Sequence, residues 1–258
     1  NKFLNSLYLV TNSLDCEGAK VFAAALSTNR SLTLLDLSDN QIGDQGAKAL
    51  AEAFNVNNSV GTINLSYNKI DDQGTKALSE ALRVNNSINA INLSYNEIGD
   101  QGAKALAKAL HINKSLASLD LRGNLIDDEG AKALADALRV NKSLTLIDLA
   151  HNRITESGRK ALVDALHINF TILTFTFDFP CTAVIAKLIE RNKSLRWQNQ
   201  HGILLNLCIA MQSFDLPAYV LLWIYDQFGL GEASINQFKK ISLIESVINS
   251  IRSVKRVR

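Results

Sequence analysis

The fold is decided by a stretch near the start of the chain, residues 31–58, which reads SLTLLDLSDNQIGDQGAKALAEAFNVNN. The alternation LDL at residues 35–37 predicts a short strand with one buried face. In DQGAKALAEAF, residues 44–54, the apolar residues lie three and four apart, which predicts a helix with one buried stripe. Asp44 is the expected N-cap of that helix. The stretch is therefore a unit of strand, turn, helix and turn.

The same unit recurs every 28 residues along the chain. One asparagine ends each predicted strand, at Asn12, Asn40, Asn68, Asn96, Asn124 and Asn152, and another follows each predicted helix, at Asn29, Asn57, Asn85, Asn113, Asn141 and Asn169. Repetition at such a period indicates a solenoid, in which each unit packs on its neighbours. We therefore predict an α/β solenoid, a horseshoe with a parallel inner sheet and wider helices outside.

The first series of asparagines is predicted to be structural. The chain turns sharply after each strand and leaves backbone groups that need hydrogen-bond partners. An amide side chain both donates and accepts, so stacked asparagines can satisfy neighbouring turns. Replacing Asn96 with alanine should therefore cost on the order of 1–3 kcal/mol of stability.

The repeat pattern weakens towards residue 193. The seventh unit keeps the alternation in TILTFTF, residues 171–177, but has Pro180 where asparagine is expected. Terminal repeats are expected to be atypical because they cover the open end of the core. We predict a repeat domain of about seven units at 1–193 and a C-terminal helical cap at 194–258. SLRW (194–197) is a candidate for one further short strand.

The motif LxxLxLxxN carries a family resemblance. It falls at Leu32, Leu35, Leu37 and Asn40, and again at Leu116, Leu119, Leu121 and Asn124. Over about residues 2–193 the pattern resembles the ribonuclease-inhibitor-like class of leucine-rich repeats, and similar arrays occur in NOD-like receptors and in effector proteins of intracellular bacteria. The resemblance implies a horseshoe whose concave face and adjacent loops bind proteins. It does not identify the partner, because one fold serves many functions.

The predicted inner surface is polar to acidic, with aromatic residues where the strands end. The candidate protein-binding residues are Asp36, Asp39, Asn64, Tyr67, Asn92, Tyr95, Asp120, Arg122, Asp148, His151, Asp178 and Phe179. Aromatic and arginine side chains supply most binding hot spots. One hypothesis is that the tyrosines and His151 anchor a partner while Asp120, Asp148 and Arg122 select its charges. The alternative is that the aspartates only follow the common repeat pattern and that the tyrosines have no role in binding.

Composition and charge narrow the class of protein. The net charge of +2 argues against a dedicated nucleic-acid binder, and no run of eighteen apolar residues predicts a membrane span. The three cysteines, Cys16, Cys181 and Cys208, are odd in number and lack CxxC spacing, which favours a reducing compartment. We therefore expect a cytoplasmic protein, or one in the host cytosol if it is a secreted bacterial effector.

No catalytic, metal or cofactor site is predicted. The four histidines are scattered, and Cys208 lies in the apolar segment ILLNLCIAM, where a cysteine is more often inert core than nucleophile. The sequence thus favours a monomeric module that docks a folded protein in its concave face and regulates or inhibits it. The alternative is an adaptor whose repeats select a target and whose helices at 194–258 recruit a second protein.

Overall fold

Strands and helices alternate along the described part of the chain. The computed structural model describes residues 3–178 and 184–196, which belong to one compact unit, Asn1–Arg196. The elements are β1 (Ser6–Tyr8), α1 (Cys16–Thr28), β2 (Leu34–Asp36), α2 (Gly43–Phe54), β3 (Thr62–Asn64), α3 (Asp72–Val84), β4 (Ala90–Asn92), α4 (Asp100–Leu110), β5 (Ser118–Asp120), α5 (Asp128–Val140), β6 (Leu146–Asp148), α6 (Glu156–Ile168) and β7 (Thr174–Thr176). Residues 184–196 are also helical.

The strands form one parallel sheet in chain order, from β1 to β7. Each residue pairs with the residue 28 positions further along, so that Leu35 lies opposite both Leu7 and Ile63. The register never slips across the seven strands of the described sheet. Residues that share a position in the repeat therefore form straight rows across the sheet, which confirms the predicted parallel solenoid.

The core lies between the sheet and the helices. In the second repeat it contains Leu35, Leu37 and Ile42 from the strand side and Leu50 and Phe54 from α2, all fully buried. Equivalent side chains in the other repeats join them in one continuous cluster. The array is therefore held by contacts between neighbouring repeats, as expected for a solenoid.

The asparagines at the strand ends form the predicted ladder. Asn96 is 6% exposed, and its Nδ2 donates to the backbone oxygens of Leu65 and Leu93, each at 3.0 Å. Its Oδ1 accepts from the backbone N–H groups of Asn68 and Ile70, each at 3.0 Å. One amide thus joins two successive turns, which confirms the predicted structural role.

The second series of asparagines closes the turns after the helices. Asn85 Nδ2 donates to the oxygens of Phe54 and Asn57 in the preceding repeat, at 2.7 and 2.8 Å. Its Oδ1 accepts from the N–H groups of Ser87 and Ile88 in its own turn. Asparagine side chains therefore join each repeat to its neighbour at both ends of the strands.

The prediction that Asp44 caps its own helix is wrong. Helix α2 begins at Gly43, and its N-cap, Ile42, makes no side-chain hydrogen bond. Asp44 Oδ1 instead accepts from the N–H groups of Asp71 and Gly74, at 2.8 and 3.0 Å, at the start of the next helix. The same bonds across repeats are made by Asp72, Asp100 and Asp128.

This capping between repeats helps to explain the glycine at the start of α3 and of the helices after it, Gly74, Gly102, Gly130 and Gly158. A Cβ added to Gly74 would lie 2.6 Å from Asp44 Oδ1, which is closer than two such atoms can approach. Burial is the main cause that raises the pKa of Asp44, and the N–H groups it accepts from partly oppose that rise. The Asp44 carboxylate therefore accepts two hydrogen bonds at the start of the next helix, where a glycine leaves room for it.

The described chain ends in the seventh unit. Strand β7 confirms the strand predicted at 171–177, and Ile172 before it is fully buried. Asn192 is buried and donates to the oxygens of Asn169 and Ile172, so it continues the second ladder at shortened spacing. The short strand expected at 194–197 is wrong for residues 194–196, which continue the helix that includes residue 184. Pro180 and most of the predicted cap at 194–258 lie outside the described residues, and the domain boundary stays a prediction.

Candidate protein-binding surface

We call the side of the sheet that faces away from the helices the concave face. Residues of successive strands line one hollow there, of about 410 Å³. The floor row of the concave face consists of Tyr8, Asp36, Asn64, Asn92, Asp120, Asp148 and Thr176, which share one sheet register. The predicted floor residues therefore lie side by side, as the repeat requires.

A second row on the concave face was missed by the sequence reasoning. It lies two residues before the floor row and consists of Ser6, Leu34, Thr62, Ala90, Ser118, Leu146 and Thr174. Five of these residues, from Leu34 to Leu146, line the hollow. The strand alternation could have revealed them, because residues two apart in a strand share a face. The floor row is thus acidic and amidic, whereas the second row mixes three apolar residues with four serines and threonines.

The floor residues also stabilise the strand ends. Asp36 Oδ1 accepts from the N–H of Ser38 at 3.0 Å, and Asp120 Oδ1 accepts from the N–H of Arg122 at 2.9 Å. The same bond, two residues along the chain, is made by Asn64, Asn92 and Asp148. One oxygen of each side chain therefore has a structural task, which gives the alternative interpretation a physical basis. The second carboxylate oxygens of Asp120 and Asp148 make no such bond to the backbone of the described chain.

The structure groups three predicted residues at one end of the floor. Arg122 Nε lies 3.9 Å from Asp148 Oδ2, and the arginine side chain is 40% exposed. Burial raises the pKa of Asp120, and the neighbouring charge of Asp148 raises it further, while the N–H and charge of Arg122 lower it. Arg122 therefore offsets only part of the effect of burial on Asp120.

Two tyrosines stack where the third and fourth strands end. The rings of Tyr67 and Tyr95 have centroids 4.4 Å apart and planes within 10°, and the residues are 50% and 37% exposed. A Cβ added to Gly123 would lie 2.6 Å from Tyr95 Cδ1, so the ring of Tyr95 covers that glycine. Desolvation is the main cause that raises the pKa of Tyr67, and the electrostatic effect of the neighbouring Tyr95 raises it further. The pair is a flat, half-exposed aromatic platform supported from one side.

The backbone does not account for tyrosine at these two positions. The residue before each ladder asparagine has a positive φ, +54° at Asp39, +56° at Tyr67, +53° at Tyr95 and +57° at His151. Glycine, asparagine and aspartate tolerate this region best, and a bulky residue there costs of order 1–3 kcal/mol. The turn would therefore favour smaller residues, and the aromatic side chains need another explanation.

Asp39 and His151 occupy the same position of the repeat as the two platform tyrosines. His151 donates its backbone N–H to Asp178 Oδ2, and its Nδ1 lies 3.3 Å from the same oxygen. Asp39 accepts a hydrogen bond from Thr11 Oγ1 at 2.8 Å. Phe179 lies outside the described residues.

Within residues 3–178 and 184–196, no three histidine, cysteine or acidic side chains are grouped so that they could hold a metal ion. Cys16 is a half-buried free thiol. None of the helices described above has the length and apolar character needed to cross a membrane.

Comparison with known families addresses the repeat directly. The family described as "Leucine Rich repeat" matches residues 28–51, 56–79, 84–107, 113–135 and 140–163. Residues 28–163 belong to the leucine-rich-repeat family. Each matched segment covers one strand from β2 to β6 and most of the helix that follows it. These leucine-rich repeats therefore include both tyrosines of the platform and the acidic pair of the floor.

Comparison with solved structures gives weaker likenesses. Actin-binding site 2 of leiomodin-1 matches with a TM-score of 0.42 and 19% identity, over 64% of this chain and 82% of that one. The C-terminal domain of tropomodulin from Caenorhabditis elegans matches with a TM-score of 0.46 and 13% identity, over 71% of this chain and 98% of that one. No curated protein sequence matches the chain. At these TM-scores the two likenesses carry no argument about the partner of this chain.

Proposed function

We propose that the leucine-rich repeats bind a folded protein in the concave face, and that the partner presents a basic surface. The observation that carries the proposal is the stacked platform of Tyr67 and Tyr95 beside the acidic floor. Tyrosine is enriched at binding hot spots, and the faces of its ring attract cations. A platform that the turn geometry does not favour is best explained by what it contacts.

Charge favours a basic partner. The described concave face carries five aspartates and one arginine: Asp36, Asp39, Asp120, Asp148, Asp178 and Arg122. An excess of one sign steers a partner of opposite charge and disfavours partners of the same sign. A rigid surface of this kind can cover roughly 1,200–2,000 Å² of a folded protein, the usual size of a stable interface.

The first experiment replaces both platform tyrosines with asparagine, as Tyr67→Asn and Tyr95→Asn together. Asparagine tolerates positive φ, so the variant should fold at least as well as the parent chain. Removal of two aromatic anchors should weaken capture of a partner from cell lysate by at least about tenfold. The matched control is Lys48→Ala with Lys76→Ala, on the exposed side of α2 and α3, which should leave capture unchanged.

A second variant tests the charge. Asp120→Asn with Asp148→Asn keeps one amide oxygen for each strand-end hydrogen bond but removes the charges. We expect weaker capture and a weaker dependence of affinity on salt. If the platform variant and this charge variant both still capture the partner as well as the parent chain does, binding on the concave face is contradicted.

The effect on the partner separates regulation from recruitment. We propose that binding regulates or inhibits the partner and involves no catalysis by this chain. The partner's activity should therefore fall when the purified chain is added. The adaptor alternative depends on residues 194–258. If capture needs those residues and partner activity is unchanged, the adaptor interpretation is the better one.

The 28-residue period supports assignment to the ribonuclease-inhibitor-like class of repeats, and the acidic concave face disfavours nucleic acid as a ligand. The free thiol of Cys16 is compatible with a reducing compartment, which supports a cytoplasmic location, or the host cytosol for a bacterial effector. We further propose that the chain acts as a monomer.

A further inference from the structure

A row of exposed aliphatic side chains follows the edge where the helices end. Its members are Val56, Val84, Ile112, Val140 and Ile168, which are 51%, 60%, 49%, 54% and 48% exposed. We call them the edge row. They lie 28 residues apart and supply five of the fifteen large apolar side chains exposed in the described chain. One third of those exposed apolar side chains thus share a single position of the repeat.

The fold does not require an apolar residue at this position. Each member directly precedes an asparagine of the second ladder, and the buried stripe of its helix consists of other residues, such as Leu78 and Leu82 in α3. The equivalent residue of the first repeat is Thr28, an exposed polar residue whose hydroxyl donates to the oxygen of Ala25. Solvent-exposed helix ends normally carry polar residues. The aliphatic members therefore point to a ligand rather than to folding.

Basic side chains border the edge row. The residue before each member is Asn55, Arg83, His111, Arg139 or His167, and the residue two positions after it is Asn58, Asn86, Lys114, Lys142 or Phe170. These flanking positions contain no acidic residue. Arg83 and Arg139 are partly offset by Glu80 and Asp136. Lys114 and Lys142 make no ion pair within the described residues, so positive charge is greatest around Ile112 and Val140.

We infer that the edge row docks an amphipathic helix that has acidic residues on both sides of one apolar stripe. Packed helices lie about 8–10 Å apart, which sets the spacing of row members along the helical side of the array. A helix advances about 10.5 Å in seven residues, so one apolar residue in every seven can meet successive members. Acidic neighbours would then face Lys114, Lys142 and the arginines. This surface is separate from the concave face, and the inference does not depend on the function proposed above.

A single line of valine and isoleucine favours a helix over a membrane surface. Helices that lie on a membrane typically present tryptophan, phenylalanine and leucine from a broad apolar face. The edge row is one side chain wide, with hydrogen-bonded asparagines directly beside it. A narrow stripe of this kind matches the apolar stripe of one partner helix.

The test uses the full chain and a labelled synthetic helix of about 30 residues, with leucine at every seventh position and glutamate beside each leucine. Two counterparts have serine for leucine or lysine for glutamate. The variant Ile112→Thr with Val140→Thr keeps the branched shape and resembles Thr28. The matched control is Val21→Thr, an exposed valine of α1 outside the row. Fluorescence anisotropy gives the affinities, and melting temperatures check folding.

We expect the glutamate peptide to bind the parent chain and the Val21 control equally. The double threonine variant should bind about tenfold more weakly or worse, because two buried apolar contacts are lost. The charge reversal Lys114→Glu with Lys142→Glu should weaken binding of the glutamate peptide and strengthen binding of its lysine counterpart. The equal change of charge in Lys48→Glu with Lys76→Glu, on the outer faces of α2 and α3, should have a much smaller effect.

Several results would overturn the inference. One is failure of the glutamate peptide to bind at about 1 mM, and another is equal affinity for the serine counterpart or for the threonine variant. Self-association of the parent chain that the threonine variant abolishes would identify a second copy as the occupant. Binding to phosphatidylserine vesicles that the same variant abolishes, without binding of the peptide, would identify a lipid surface instead.

Discussion

Replacement of Asn96 with alanine tests how the repeats are joined. The side chain is almost fully buried, and its Nδ2 donates to Leu65 at 3.0 Å, to Leu93 at 3.0 Å and to Ser94 at 3.2 Å. The oxygens of Leu93 and Ser94 keep other donors, the side chain of Asn124 and the N–H of Tyr67. Of these three carbonyls, the substitution therefore leaves mainly that of Leu65 without a partner.

The acceptor side of the amide sets the magnitude. The N–H groups of Asn68 and Ile70 both donate to Asn96 Oδ1, and both residues are fully buried. Two N–H groups and one carbonyl thus lose their hydrogen bonds, each at a cost of about 1–3 kcal/mol if left dry. A water molecule admitted to the space of the lost amide can satisfy some of them. We expect the free energy of unfolding to fall by about 3 kcal/mol, the upper end of the range expected from sequence.

The matched control is Asn12→Ala, at the same position of the first repeat. Asn12 is exposed, and its Nδ2 donates to the oxygen of Val10 alone within the described residues. Its loss should therefore change stability by no more than about 0.5 kcal/mol. Urea unfolding followed by far-ultraviolet circular dichroism, with a second probe to check that the transition is two-state, measures both variants. A difference between the two variants below about 0.5 kcal/mol would refute the ladder's role in joining repeats.

Two further predictions concern the carboxylates that cap the following helix. Gly130→Ala should lower the free energy of unfolding, measured by urea denaturation, by about 1–3 kcal/mol, because its Cβ would lie 2.6 Å from Asp100 Oδ1. The control Gly61→Ala, whose nearest contact is 3.3 Å, should cost clearly less. Equal losses in the two variants would argue against the steric explanation. Thr155→Val should raise the pKa of Asp128 in an NMR titration, because the hydroxyl of Thr155 is the main cause that lowers it. A lowered folded-state pKa stabilises the fold at pH values above the unfolded-state pKa of about 3.9, and this stabilisation is lost as the pH falls through the folded-state pKa. The variant should therefore be less stable than the parent chain at neutral pH, and the difference should shrink in acid. A loss of stability that does not change with pH would contradict this explanation.

The repeat made much of this fold predictable. A period of 28 residues, with alternation at 35–37 and helical spacing at 44–54, predicted the strands, the helices and the parallel order that the structure shows. The ladder role of Asn96 followed from the need to satisfy a buried turn. Asp44 was misassigned because helix caps usually come from the same chain segment, whereas here the acceptor comes from the preceding repeat.

The candidate site was predictable only in part. Sequence placed Tyr67 and Tyr95 in one row, because residues at the same repeat position share a register. The row of Leu34 and Leu146 on the same face was missed, although strand alternation implies it. The structural hydrogen bonds of the floor aspartates and asparagines could not be read from spacing, because they depend on how the backbone turns after the strand. The exposure of Val84 and its row likewise required the packing of neighbouring helices.

The period of 28 residues was enough to predict which residues form rows, because an unslipped register places position n beside position n + 28. The packing of the repeats decided how the members of a row contact one another and which groups they bond to. It set the 4.4 Å stack of the two tyrosines over Gly123, and it joined the carboxylate of each repeat to the helix of the next. Periodicity fixes neighbours along the array, but distances and hydrogen-bond partners depend on how closely the backbones approach, which only the packed repeats define.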